Sequence, residues 1–343
     1  MDRYHRQTLL PQIGPIGQAR LAAARVAIIG CGALGTVAAE LLARAGVGYL
    51  KLIDRDLVEL TNLQRQTLFD EADARDAVPK AAAAARRIGL INSAVTVEPV
   101  VVDVHSGNIE SPLADRIDLI IDGTDNADTR YLINDVAIKL NRPWVYGAAI
   151  GVEGRAMLVV PGVSPCLRCV FPDPPAAGEL PTCDTAGVLA GATFIIGSIQ
   201  ATLAIQRLVD PSKFDPSLST IDLWPMRFRN VNVADARRSD CPACGERKFE
   251  FLNRPAGASQ TTLCGQNAVQ IRGGQNGVKL DLAELERRLK SAGPTQRSSF
   301  LLRCEPDDAP GIRVTIFTDG RAIIHGTTDF TRARSLYARF VGV

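Results

Sequence analysis

The sequence predicts an α/β fold: a sheet parallel in its first half and antiparallel afterwards, helices on both faces, and a small C-terminal α+β domain. Three observations lead there. A short apolar run, residues 26–29, breaks into Gly30-Cys31-Gly32-Ala33-Leu34-Gly35 and then an Ala/Leu-rich segment to Ala45. That is strand, turn and helix in one unit. Gly30, Gly32 and Gly35 stand where such turns need one glycine for tightness, one for close approach to phosphate and one for helix–strand packing. Apolar runs then alternate with helical patterns as far as Leu140, which is how parallel βαβ units read. Finally, residues 143–150 and 153–160 are apolar runs separated by a turn near Gly151, a link so short that it requires antiparallel pairing. The sheet is therefore Rossmann-like at its start and departs from that plan in its second half.

Composition narrows the class. Of 343 residues, 46% are hydrophobic and 22% charged, enough to bury one large core and a smaller one. A net charge of +2 gives no bulk reason to expect nucleic acid or a membrane surface as partner. The first residues, Met1-Asp2-Arg3-Tyr4-His5-Arg6, lack the apolar core of a signal peptide. Residues 187–205 form the most hydrophobic window and approach a membrane-spanning length. Their Thr193, Ser198, Gln200 and Thr202, with much Gly and Ala, predict instead a helix packed inside protein. Eight cysteines, four of them in two C-x-x-C pairs, suit metal binding in a reducing compartment, so the cytoplasm is expected.

In chain order, residues 17–24 read as a short helix behind a terminal arm with Arg3, Arg6 and Gln7. Such arms fray, which leaves Arg6 solvated. After the glycine turn, strand 49–53 ends in Asp54, about 20 residues downstream, where a carboxylate binds ribose hydroxyls. The helix start adds free N–H groups and a positive dipole end, so a nucleotide site is expected. The polar stretch 56–66 follows, with Asp56, Asn62, Gln64, Arg65 and Gln66 aimed at the ligand; the planar fork of Arg65 suits phosphate. Lys80 opens a helix over 81–91 and supplies a second cation. Strand 95–102, helix 107–115 and strand 117–121 come next. The last ends in Asp122-Gly123-Thr124-Asp125-Asn126, at the edge where open α/β sheets bind ligands. Asp125 is placed to hold Mg2+ against a triphosphate, although Asp125 or Asn126 can also cap the helix over 127–140.

Beyond the antiparallel pair lie Cys166 and Cys169, a Pro-rich loop over 171–181, Cys183, the small-residue helix, strands 219–224 and 227–233, and then Cys241 and Cys244. Two such pairs predict a structural Zn2+ with no open coordination position, tying the ends of the sheet region together. Residues 1–245 thus form the main domain. Residues 246–275, rich in Gly, Asn and Gln, read as a linker with one strand at 268–271. Residues 276–343 form the small domain, with helices 281–291 and 330–341 and strands 300–304, 312–317 and 321–325. The last two strands join through Thr318-Asp319-Gly320. Cys264 is expected at a turn, Cys304 as a core thiol and His325 packed against its neighbours.

The set resembles the ThiF/MoeB/HesA family, bacterial relatives of the ubiquitin-activating enzymes, and most of all a ThiF-type member with a C-terminal extension. The resemblance lies in Arg3-Tyr4-His5-Arg6-Gln7, the glycine turn, Asp54-Arg55-Asp56, Asn62-Leu63-Gln64-Arg65-Gln66, Lys80, Asp122 to Asn126, Tyr146-Gly147-Ala148, both C-x-x-C pairs and Cys183-Asp184-Thr185-Ala186-Gly187-Val188. It implies an adenylyltransferase. With ATP and Mg2+, such an enzyme would adenylate the C-terminal Gly-Gly carboxylate of a small ubiquitin-like sulfur carrier and release pyrophosphate. A ThiS-like carrier serving thiamin thiazole synthesis is favoured over a MoaD-type carrier for molybdopterin, or over a peptide or modified tRNA base.

The resemblance also implies roles. Arg6 becomes an arginine finger reaching the other protomer's site in a homodimer, against the frayed-arm reading, and the helix over 187–205 becomes part of the interface. Arg65 and Lys80 grip phosphates, Asp125 holds Mg2+, Asn62 and Asn126 orient ligand, and Asp54 binds ribose, with Asp56 and Gln66 beside them. Cys183 either joins the carrier through a persulfide, as in ThiF-like members, or stands by, as in MoeB-like ones. With no rhodanese-like domain after Cys244, sulfur would come from a separate donor protein.

Overall fold

The computed structural model describes residues 3–174, 186–255, 260–263, 267–272 and 280–342. The chain divides into two compact units, residues 1–255 and 256–343.

The first unit is built on strands β1 (Arg25–Ile29), β2 (Tyr49–Asp54), β3 (Thr96–Val101), β4 (Leu119–Asp122), β5 (Trp144–Ile150), β6 (Glu153–Val159), β7 (Ser217–Asp222) and β8 (Arg227–Asn232). They lie in the order β3-β2-β1-β4-β5-β6-β7-β8. The pairs from β3 to β5 are parallel and those from β5 to β8 antiparallel, the predicted change of direction falling at the 150/153 turn. Strands β1, β2 and β4 are buried almost throughout, because a parallel sheet is covered on both faces. Helices α3 (Ala33–Ala45), α5 (Lys80–Ile91) and α8 (Ala190–Val209) cover one face through Ala38, Leu42, Ala84, Ile88, Ala201 and Ala204. On the other, α6 (Ala127–Lys139) packs Tyr131, Ile133, Val136 and Ala137 against Ala27, Ile29 and Ile120. The winding reverses between β1 and β4, and Ile29 pairs with Asp122 at that point. Ligands bind beyond the strand ends at such a reversal, and both the glycine turn and the 122–126 loop start there.

Three details differ from the expectations. The N-terminal arm is held against its own unit and forms α1 (His5–Thr8) ahead of α2 (Gly14–Ala23). Gln7 Nε2 donates to Gln18 Oε1 at 2.6 Å and to Ala45 O at 2.9 Å, and Asn92 Nδ2 donates to Tyr4 OH at 2.8 Å. Residues 107–115 form successive turns ending in a single 3-10 turn, Ser111–Leu113, because Pro112 has no N–H to continue a helical ladder. The described residues of the supposed linker are packed. Phe251 and Leu252 are buried in the first core, and their N–H groups donate to Asp135 Oδ2 at 2.8 and 3.3 Å. Further on, the same stretch contributes two paired strands to the second unit. Among the described residues α8 is the one helix long and apolar enough to cross a membrane. It lies against α3, where a Cβ on Gly197 would sit 2.8 Å from Val37 Cβ.

Helices α4 (Glu71–Arg75) and α7 (Leu167–Val170) complete the first unit. In the second, β9 (Gln260–Leu263), β10 (Ala268–Ile271), β11 (Thr295–Arg297), β12 (Leu301–Cys304), β13 (Arg313–Phe317) and β14 (Ala322–His325) form an antiparallel sheet ordered β11-β12-β13-β14-β10-β9. Helices α9 (Leu282–Leu289) and α10 (Phe330–Phe340) lay Leu282, Leu285, Leu289, Leu336 and Phe340 on Val269, Leu302, Cys304, Val314 and Ile324. Each starts on an aspartate, Asp281 or Asp329, whose carboxylate accepts from the first free N–H groups. Cys304 is a core thiol, as expected; Cys264 lies outside the described residues.

Candidate active site

The glycines of the turn divide into two kinds. Gly30 has φ +92°, and a Cβ there would stand 2.6 Å from Gly123 O. A Cβ on Gly35 would stand 1.9 Å from Gly30 O, and one on Gly123 would stand 2.2 Å from it. The protein's own backbone therefore excludes side chains at all three. Gly32 is different, with nothing nearer to its missing Cβ than Gly123 O at 3.8 Å and Gln66 Nε2 at 4.0 Å. Room is kept there in front of α3, whose N-terminus has no side-chain cap. Uncapped N–H groups at a helix start are an anion site.

Carboxylates and a lysine border the turn. Asp54, 9% exposed, accepts from Cys31 N–H at 2.6 Å and from Asp56 N–H at 2.7 Å, so it fastens the glycine turn to the end of β2. Burial raises its pKa, and the Asp56 charge adds to this against the pull of Lys80. Lys80 is buried with Nζ 3.3 Å from Asp56 Oδ2. Burial alone would lower its pKa, but Asp56, Asp54 and Asp125 together hold it above the usual lysine range. The ammonium is thus charged and held in place. Gln66 is buried with its Oε1 unpartnered, beside the room at Gly32. A buried orphan acceptor at this position fits a ligand that brings a donor.

The 122–126 loop is tied from several sides. Asp122 is fully buried; its Oδ1 accepts from Thr124 N–H at 3.0 Å and Thr124 Oγ1 at 2.6 Å. Its Oδ2 accepts from Arg130 Nε at 2.9 Å. Gln200, from the middle of α8, donates to Asp122 O at 2.7 Å and to Val145 O at 3.3 Å, bridging β4 and β5 where their ladder ends. Asn126 caps α6 by accepting from Thr129 N–H at 2.7 Å. Asp125 makes no such cap and stands exposed, close enough to Lys80 and Arg130 for its charge to act on both.

The sequence-derived residues thus receive different surroundings. Gly30, Gly32, Gly35, Asp54, Asp56, Gln66, Lys80 and Asp125 gather at the switch point. Asn62 accepts from Glu59 N–H at 3.1 Å and closes a capping box, and Arg65 folds back to donate to Thr61 O at 2.9 Å. Arg6 is exposed on α1, and the Gln7–Ala45 bond anchors that helix at the C-terminal end of α3. The length of α3, 13 residues or about 20 Å, separates this anchor from the glycine turn of the same chain. Cys183 lies outside the described residues. Arg130 and Gln200 were not foreseen; the available signals were a cation eight residues beyond Asp122 and an amide inside an apolar helix.

The four cysteines of the C-x-x-C pairs converge, with all Sγ atoms within 4.8 Å of one another. The separations are 3.9 Å for Cys166–Cys169, 3.6 Å for Cys166–Cys241 and 3.4 Å for Cys169–Cys244. A tetrahedron with metal–sulfur bonds of about 2.3 Å has edges of about 3.8 Å, so these thiols fit one metal ion. Asn134 orients the first pair: its Oδ1 accepts from Leu167 N–H at 3.0 Å and its Nδ2 lies 3.9 Å from Cys166 Sγ. The cluster joins the chain after β6 to the chain after β8.

Comparison with known proteins identifies the family. The model of the ThiF family matches residues 4–243. The sulfur carrier protein ThiS adenylyltransferase of Bacillus subtilis (strain 168) is 43% identical over 341 residues, 99% of each chain. The SAMP-activating enzyme E1 of Haloferax volcanii is 41% identical over 247 residues, 72% of this chain and 89% of that one. Among solved structures, E. coli MccB with ATP shares the fold at a TM-score of 0.60 and 23% identity, over 71% of this chain and 75% of that one. The chain belongs to the ThiF family.

Proposed function

We propose that the protein is an ATP-dependent adenylyltransferase acting on the C-terminal Gly-Gly carboxylate of a small ubiquitin-like, ThiS-like sulfur carrier, in the service of thiamin thiazole synthesis. The observation that carries this reading is the whole-length likeness to a ThiS adenylyltransferase, second unit included.

The reaction brings a carboxylate to the α-phosphorus of ATP and expels pyrophosphate. Anion meets anion, so neutralisation and alignment supply most of the catalysis. The room at Gly32 and the open start of α3 take the phosphates, and Asp54 the ribose. Lys80 exchanges Asp56 for phosphate oxygen, and Arg65 exchanges the Thr61 carbonyl. Arg6 of one protomer completes the site of its partner, as its anchor at the far end of α3 requires if it is to serve at all. The outward face of α8, with Phe194, Ser198 and Thr202 along a groove of about 610 Å³, supports a homodimer interface. Asp125, exposed beside these cations, would hold Mg2+, which would supply positive charge to neutralise the phosphates. Zn2+ suits the four thiols and cross-links the fold. No side chain bonds to phosphorus, and Cys183 takes no part before adenylation. Sulfur arrives from a separate donor protein, and the thiol-rich site suits the reducing cytoplasm. ATP–pyrophosphate exchange with purified Gly-Gly-ended carriers tests the reading. Exchange with a ThiS-like carrier supports it; exchange with a MoaD-type carrier alone reassigns the pathway, and none with any carrier rejects it.

A further inference from the structure

Arg130 has no part in the chemistry above, yet it is the best-engaged cation near the site. Its side chain is 16% exposed and spans the two sides of Gly123. On one side Nε meets the fully buried Asp122 carboxylate at 2.9 Å; on the other a terminal NH2 donates to Thr124 O at 2.8 Å. The Tyr146 ring covers its face at 5.2 Å. Thr124 O belongs to the peptide that leads into Asp125. That peptide is therefore held by Arg130, while the N–H and hydroxyl of Thr124 are held by Asp122. Just beyond Asp125, the side chain of Asn126 is fixed by the start of α6. Asp125 is thus an exposed residue between two anchored ones. A planar fork can reach a carboxylate and a carbonyl together, whereas an ammonium offers one compact charge. Neutralising Asp122 alone would not need that shape.

We infer that Arg130 is a positioning residue for Asp125, fixing the Thr124–Asp125 peptide so that the carboxylate is preset to meet the divalent cation of the nucleotide. The inference rests on the proposed role of Asp125. It does not make Arg130 a phosphate ligand, because its donors toward the loop are already engaged.

Full-length Arg130→Lys and Arg130→Gln proteins test it, the lysine variant guarding against loss of folding by keeping the charge beside Asp122. ATP affinity is titrated without a divalent ion and then against Mg2+, and hydrogen exchange is followed at the Thr124 amide. Losing one charge-assisted hydrogen bond should speed that exchange about tenfold in both variants and raise the Mg2+ midpoint about tenfold. Metal-free ATP affinity should stay within about twofold, since the cradle is untouched. Asp125→Ala should abolish the Mg2+ effect, and adding Arg130→Gln to it should change nothing further. An unchanged Mg2+ midpoint in the Arg130 variants, beside an unresponsive Asp125→Ala, overturns the inference alone. A parallel fall in metal-free affinity also overturns it, making Arg130 a phosphate ligand. An Asp125→Ala protein that keeps the Mg2+ effect overturns the role of Asp125 and the inference with it.

Discussion

Gly32 and Gly35, three residues apart in one motif, should respond oppositely to the same methyl group. At Gly35 a Cβ would lie 1.9 Å from Gly30 O and 2.9 Å from Gly30 C, both backbone atoms that can yield only if the turn itself moves. Overpacking of this kind costs about 3 kcal/mol or more. At Gly32 the nearest protein atom to a new Cβ is 3.8 Å away, an ordinary contact. The only folding cost is the poorer N-cap quality of alanine, about 1 kcal/mol at most. The methyl would stand in the space reserved for phosphate. A clash worth about 1–3 kcal/mol there weakens nucleotide binding roughly 5- to 150-fold. Thermal melting and ATP titration on both variants separate the effects: Gly35→Ala should lose stability first, and Gly32→Ala should keep its melting point to about 4 °C and lose ATP. A Gly32→Ala protein that binds ATP like wild type would show that no phosphate approaches this turn.

The remaining predictions concern the dimer, the cysteine cluster and the second unit. Arg6→Ala and Lys80→Ala should each abolish ATP–pyrophosphate exchange, and mixing them should restore part of it, since a mixed dimer rebuilds one complete site; stable mixed dimers without activity would show that the site is not shared. Cys241→Ser should lower the metal content from one Zn2+ per chain towards none, read by elemental analysis, with a loss of several kcal/mol in stability because thiols that fit a metal are left packed without it. His325 is pushed down from 6.5 to about 4, by burial first and then by Arg313 and Arg303. The unfolded chain therefore takes up this proton at higher pH than the folded one, so stability is complete above about pH 6.5 and falls as pH drops towards 4. The loss is about 2–3 kcal/mol at most, discounted for partial exposure. Hydrogen exchange along β14 at pH 7 and pH 5 should show it, and His325→Gln should remove the difference.

What was legible in the sequence follows a physical division. The parallel strands could be read because burial on both faces leaves continuous apolar runs such as residues 119–121, and the glycine turn because its spacing answers to backbone clashes. The cysteine pairs could be read because a metal fixes its ligand spacing. Residues 107–115 misled because their composition allows a helix, while one missing N–H at Pro112 decides against it. The supposed linker misled because its polar composition hides Phe251 and Leu252, whose burial depends on Asp135, more than a hundred residues earlier. The Asp125/Asn126 ambiguity had no local solution either, since both residues can cap and only the backbone chose Asn126.

The same division governs the charges. A sequence shows how many cations can come near a pocket, but not what holds them before the substrate arrives. Here Lys80 rests on Asp56, Arg65 on the Thr61 carbonyl and Arg130 on Asp122. On the proposed function, binding ATP would be an exchange of partners, and the three exchanges would differ in cost. Asp122 is fully buried, so withdrawing Arg130 would leave an uncompensated charge in the interior, worth about 3–5 kcal/mol. Asp56 is about half exposed, and water can solvate it as Lys80 turns to phosphate. Arg65 gives up only a hydrogen bond exposed to solvent. On that reading Lys80 and Arg65 are the cations that would follow the nucleotide, and Arg130 is the one that would stay where it is.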